Sequence, residues 1–127
     1  MIVSDASAAL AALLHAGQAR DEWGEEQVHV PYLVDSEVAS GLRRELMTGR
    51  MSDGDAEAAL GTWQSLGMTR HGANSLMDRI WELRHNLSVY DATYVALAEV
   101  LGCTLLSADG QLGRAPGIRC PVKVVPR

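Results

Sequence analysis

The chain contains no phenylalanine, a single lysine (Lys123) and two cysteines. It also has no apolar run long enough to span a bilayer. Each shortage excludes something. With aromatics at 5% of residues, the stacking platforms of sheet-surface RNA binders are not available. Cys103 and Cys120 lack metal-type spacing, so they read as two buried free thiols and not as a disulfide or zinc site. The first residues carry no basic n-region, and Asp5 interrupts the first apolar run. A secretory signal is therefore not expected, and the protein is expected in the cytoplasm with no membrane partner. A single domain over residues 1–127 is expected, because that length buries a core without staples.

Positive charge is scarce too: 11 Lys and Arg stand against 16 Asp and Glu, for a formal net charge of −5. Binding to nucleic acid through an overall basic surface is excluded. The charges are also segregated. Met1 to Leu42 holds Asp5, Asp21, Glu22, Glu25, Glu26, Asp35 and Glu37 against Arg20 alone, whereas Gly110 to Arg127 holds Arg114, Arg119, Lys123 and Arg127 with no acid. Such blocks are ordinarily solvated surface, and DEWGEE (Asp21 to Glu26) reads that way. Acids set among apolar elements need another explanation.

Met1 to Val3 reads as a short strand and ASAALAALL (Ala6 to Leu14) as a mostly apolar helix, with Asp5 at the join in position to cap it. VHVP is a β-like run closed by Pro31. Leu33, Val34, Val38, Leu42 and Leu46 recur at helical spacing, with Glu37 beside the stripe. TGRMSDGDAEAAL is a turn and a helix with Ser52 as N-cap, ending near Gly67. TRHGAN reads as a polar connection, and SLMDRIWELRHNL as a helix on the repeat of Leu76, Ile80, Leu83 and Leu87. SVYDATYVALAEVLG is a buried helix started by Ser88 and ended by Gly102. CTLLS, a turn at ADGQLG and a β-like CPVKVVP follow. The alternation predicts an α/β fold, a three-layer α/β/α sandwich around a mainly parallel central sheet. Sites in such sheets gather at the carboxyl ends of strands. That rule puts Asp5 and Asp109 on one rim.

Four acids stand out: Asp5 and Asp109 at strand ends, Glu37 within an amphipathic helix and Asp91 at the start of a buried helix. Singly, each has an ordinary explanation: a cap for Asp5 and Asp91, a solvated helical position for Glu37, a turn for Asp109. If they converge they repel, so at least one pKa should rise and the group should titrate as a coupled set. A divalent cation removes that penalty, and oxygen donors without His or Cys partners suit Mg²⁺ or Mn²⁺. Such an ion holds phosphate oxygens and activates water for in-line attack. Two rival acid-based folds fit poorly. A phosphoacceptor receiver domain needs an acidic pair after strand one, and an aspartyl phosphatase needs a second Asp where Ser7 stands.

IVSDASAAL, VPYLVDSEVASGLRR, YDATYVALAEVLGCTLLSAD and GQL resemble, in order and spacing, the PIN-domain ribonucleases, and in particular VapC-type toxins of bacterial toxin–antitoxin pairs. The resemblance covers essentially the whole chain. It implies a PIN-like sandwich in which Asp5, Glu37, Asp91 and Asp109 hold Mg²⁺ or Mn²⁺ and carry catalysis. It also implies an RNA substrate cut as by an endoribonuclease, a homodimer, and inhibition by a cognate VapB-like antitoxin whose tail enters the active-site groove. Asp5 and Asp91 come first as ligands, Asp109 next; Glu37 is either a ligand through water or the group that orients the nucleophile. The alternative is a PIN-like interaction module without catalysis. Ser107, where the family often has Thr, and Ser7 are open between helping the acidic pocket and bonding the local backbone.

RNA must approach acids, so bases must offset the field. Arg43 with Arg44, Arg84 with His85, and Arg70 with His71 are the candidate phosphate contacts, the alternative being surface pairs with Glu45, Asp78 or Glu82. Trp23, Trp63 and Trp81 are expected at helix contacts or a partner surface, and His15 and His29 as ordinary histidines without ligand-spaced neighbours.

Overall fold

Short runs of three or four residues supply the strands of the computed structural model, which describes residues Met1–Arg127. They are β1 (Ile2–Ser4), β2 (Val28–Pro31), β3 (Thr69–His71), β4 (Thr104–Ser107) and β5 (Val122–Val124). They form one sheet in the order β3-β2-β1-β4-β5, with every neighbouring pair parallel. The inner strands are covered on both faces, which is why they read as nearly unbroken apolar runs: Val3, Val30, Leu105 and Leu106 are fully buried.

The chain steps outward from β1 to β2 and β3, then returns to lay β4 on the other side of β1. Crossovers between parallel strands are right-handed, so outward and returning helices must take opposite faces. Accordingly α1 (Ala6–Leu14), α2 (Gln18–Glu25), α3 (Leu33–Met47) and α4 (Asp53–Ser65) pack with one another, while α5 (Met77–Glu82) packs on α6 (Val89–Leu101), which lies across β1, β2 and β4. This is the expected three-layer sandwich. The direction of travel reverses between β1 and β4, and the crevice at their carboxyl ends is the switch point. Across it the Asp5 N–H donates to the Leu106 carbonyl at 3.0 Å.

Helix ends follow local chemistry where a cap is present. Ser88 accepts the Asp91 N–H at 3.1 Å and α6 stops at Gly102, whose φ of +66° suits a residue without a side chain. Ser52 caps α4 through the Asp55 N–H at 3.1 Å. That helix ends at Ser65, short of the expected Gly67.

DEWGEE is solvated surface as expected, exposed at Asp21, Gly24, Glu25 and Glu26, and it runs through the end of α2, where the half-buried Trp23 donates its indole N–H to Ser4 Oγ at 3.1 Å. Three expectations need correction. TRHGAN contains β3, a polar strand because it is a short edge reached by water. SLMDRIWELRHNL is broken: a 3-10 turn at Asn74–Leu76 precedes α5, which ends at Glu82, where the Leu83 N–H is shared between the carbonyls of Arg79 and Ile80. Its apolar repeat still packs inward, since Leu76, Ile80 and Leu83 are buried. The two cysteines are free, as expected, but only half-buried. No helix is long and apolar enough to cross a membrane.

Two substitutions separate burial from hydrogen bonding in this core. Leu106→Ala should cost about 2–5 kcal/mol, through lost transfer energy and the cavity left behind. Trp63→Phe keeps a ring against Trp23 but removes the indole donor to Asp35 Oδ1 (2.8 Å), and should cost about 1 kcal/mol. Denaturant unfolding of both variants measures the contrast.

Candidate active site

Asp5 leaves β1 in extended backbone (φ −81°, ψ 174°) and is the N-cap of α1. Its Oδ1 accepts the Ala8 N–H at 2.9 Å and the Ser7 hydroxyl at 2.7 Å, and its Oδ2 accepts the Ser107 hydroxyl. Each serine also accepts a backbone N–H from the loop after β4: Ser7 from Ala108 at 2.9 Å and Ser107 from Asp109 at 3.0 Å. Capping and the acidic pocket are therefore served by the same carboxylate. The two serines fasten that carboxylate to the loop bearing Asp109.

Asp5 is buried, and desolvation raises its pKa above the usual 3.8 although the bonds from Ser107, Ala8 and Ser7 oppose it; the charge of Asp109 adds to the rise. Glu37, half-buried on α3, accepts the Tyr94 hydroxyl at 2.6 Å on Oε1. Desolvation again raises its pKa, with Tyr94 opposing and Asp91 and Asp5 adding. Asp91, in the first turn of α6, is raised by desolvation, then by Asp5 and Asp109. Burial, followed by the neighbouring Glu37, keeps the Tyr94 phenol protonated far beyond its ordinary range. All four acids line one cavity of about 280 Å³ at the switch point. They do not close into a cage, since no three His, Cys, Asp or Glu side chains form a group able to hold an ion by themselves.

The basic candidates divide. Arg44 lines the cavity and its neighbour Arg43 does not. Arg70 is engaged elsewhere, donating to both oxygens of Asp35 at 2.8 Å. Arg84 lies over the Trp81 ring, 4.9 Å from its centroid, and bonds the Trp81 carbonyl. The expected surface pairs are also different: Glu45 takes Arg50 and Glu82 takes Arg79.

Residues 2–118 match the PIN domain family. Over 127 residues the chain is 56% identical to Ribonuclease VapC9 of Mycobacterium tuberculosis, covering 100% of both proteins. The chain belongs to the PIN-domain family, in its VapC group. Solved structures agree on the fold. VapC20 of Mycobacterium tuberculosis, a sarcin-ricin loop cleaving toxin, matches with a TM-score of 0.66 at 25% identity, over 94% of this chain and 97% of that one. VapBC2 of Rickettsia felis, bound to a DNA fragment from their promoter, matches with a TM-score of 0.69 at 12% identity, over 98% and 99%.

Three residues of this VapC cavity escaped the sequence. Tyr94 stands three positions after Asp91, hence on the same helical face, and YDATYVALA carried that signal. His15 and Arg127 also line the cavity, and nothing in their local sequence marks them. His29, expected to have no close ligand-type neighbour, has Nδ1 2.9 Å from Nε2 of His71. That pair joins β2 to β3, away from the acids, and no sequence spacing reveals it.

The raised acids fix the sign of a pH effect. Folded VapC binds protons at Asp5, Glu37 and Asp91 more tightly than the unfolded chain, whose ordinary values are 3.8 for Asp and 4.5 for Glu. Without divalent ions, stability should therefore be greatest below those ordinary values and be lost as pH rises through the folded ones. Asp91→Asn removes one of the repelling charges. In chelator at neutral pH it should melt above the wild type, with the gap closing as pH falls through the carboxylate range; thermal melts across pH measure this.

Proposed function

We propose that this VapC protein is an endoribonuclease that depends on Mg²⁺ or Mn²⁺ and is held in check by a VapB-type antitoxin. The observation that carries the reading is the convergence of Asp5, Glu37, Asp91 and Asp109 on one cavity from four separate elements. The kinship with ribonucleases of the VapC group supports the reaction. The donor set supports the ion: every acidic group at that end offers hard oxygen, and Mg²⁺ commonly takes one or two carboxylates while keeping several waters, which suits an open cluster. Asp5 has room for it, since three donors fill three of its roughly four acceptor positions.

Asp5, Asp91 and Asp109 would hold the ion, one or two of them directly and the rest through its waters. When bound, it would supply a Lewis acid for a phosphate oxygen and a nucleophilic water near neutral pH. Glu37 would accept a hydrogen bond from the attacking water, a role supported by the Tyr94 hydroxyl bonded to its Oε1 and by a pKa raised by burial. Ser7 and Ser107 hold Asp5 in the rotamer that faces the cavity, as supporting groups around a ligand do. The kinship with the VapC group supports a VapB-type protein partner, and the reading includes a homodimer.

Asp5→Asn can still accept the Ala8 N–H and so should fold, while cleavage of RNA should fall by about 10²-fold or more. In parallel, saturating Mn²⁺ should raise the melting temperature of the wild type, a stabilisation of about 2.7 kcal/mol at one hundred times Kd. The shift should be lost in Asp91→Asn. Wild-type protein that shows neither cleavage nor a Mn²⁺ shift is instead the interaction module.

A further inference from the structure

The cavity does not end at the acids. It follows α1 from Ser7 to His15 and α3 from Glu37 to Arg44, and Arg127 joins its wall. Glu37, Gly41 and Arg44 stand at intervals of four and three residues, one face of a helix, so Arg44 lies roughly 10 Å along α3 from Glu37. Between them the helices close to form a floor. A Cβ at Gly41 would lie 2.2 Å from Leu10 Cδ1, so only glycine at this point lets Leu10 and α3 approach so nearly. One end of the groove is anionic and the other carries Arg44 and His15, both close enough to Glu45 to act on its charge.

The cations at that end are available. None of the ion pairs of the chain uses Arg44. Glu45, the one acid beside them, is already occupied by Arg50, which donates to both of its oxygens at 2.9 and 3.2 Å. The floor of Leu10, Ala11 and Leu14 offers no side-chain donors or acceptors for base edges. What a polynucleotide can find here is a grip on phosphate, without sequence information.

We infer that the groove between α1 and α3 is the track of a single RNA strand, in which Arg44, assisted by His15, binds a backbone phosphate other than the one at the acids. The assignment rests on the ribonuclease reading and adds to it the residues that position the substrate. One strand is specified because a cavity of about 280 Å³ lies at the small end of ligand pockets, about 300–1,000 Å³. Arg43 provides an internal control: it is adjacent in sequence, equal in charge, exposed, and outside the cavity.

Equilibrium binding of a labelled, unstructured oligoribonucleotide, in chelator and across a salt series, tests the assignment without requiring cleavage. Arg44→Ala should weaken binding and flatten the slope of log K against log salt by about 0.7, the share of one single-strand phosphate contact. Arg43→Ala should match the wild type, and Arg44→Lys should retain the slope because the charge is kept. Equal slopes for Arg44→Ala and Arg43→Ala would overturn the inference, as would failure of Arg44→Lys to retain it. A duplex of the same sequence that binds as tightly, with the same dependence on Arg44, would overturn the single-strand assignment. Failure of the ribonuclease reading looks different: RNA would remain uncut with Mn²⁺ while binding still depended on Arg44.

Discussion

The carboxylate of Asp5 is a buried anion made tolerable by three donors, and the geometry of the site depends on that satisfaction. Leaving such a charge unpartnered in the interior would cost several kcal/mol, whereas hydrogen bonds to a charged group return about 1.5–3 kcal/mol each. The donors come from α1 and from the end of β4. One group therefore starts α1, ties that start to β4, and holds the loop carrying Asp109 at a fixed distance. Burial of Asp5 is also what lets its charge act on Glu37 and Asp91, since water no longer screens it fully.

The route from positions 5, 37, 91 and 109 to one cavity is topological. A parallel sheet with helical crossovers puts every strand end and every following helix start on the same edge. Asp5 and Asp109 arrive there as residues that follow strands, Glu37 and Asp91 as residues in the early turns of α3 and α6. The same edge receives the N-terminal ends of those helices, whose dipoles favour negative charge. That field opposes the rise in the pKa values of three of the acids, which comes first from burial and then from the neighbouring carboxylates.

What could be read in the sequence was whatever is encoded locally. Ser88, Gly102 and Ser52 act on backbone groups within a few residues, so their effect is visible in a linear string, and the central strands announce themselves because both faces are covered. The parts that escaped are decided by distant partners. α2 is held by the inward-facing Ala19 and Trp23, a face too sparse to give a clear period beside its charged neighbours. β3 exists because His29, Val30 and Pro31 of β2 offer it a ladder, and nothing within Thr69–His71 itself prefers extension over a loop. The apolar repeat from Leu76 to Leu87 was real as a packing pattern, yet continuous helix did not follow, because a 3-10 turn before α5 and hydrogen-bonded turns after it keep nearly the same residues facing inward.

The same division explains the basic residues. Arg43 and Arg44 are indistinguishable as neighbours in a string, but successive helical residues point about 100° apart, and only one of them meets the groove. Arg70 seemed free until folding brought it to Asp35 and, through that carboxylate, to the indole of Trp63. Its charge is thereby assigned to holding α3, α4 and β3 together. A net-acidic protein that must admit a polyanion has few cations to use, and this fold places them economically: those paired with acids hold elements together, while Arg44, whose neighbour Glu45 is taken by Arg50, stands where the cavity leads away from the carboxylates. The opposition of charge along one groove gives a substrate strand a direction of entry that neither end would supply alone.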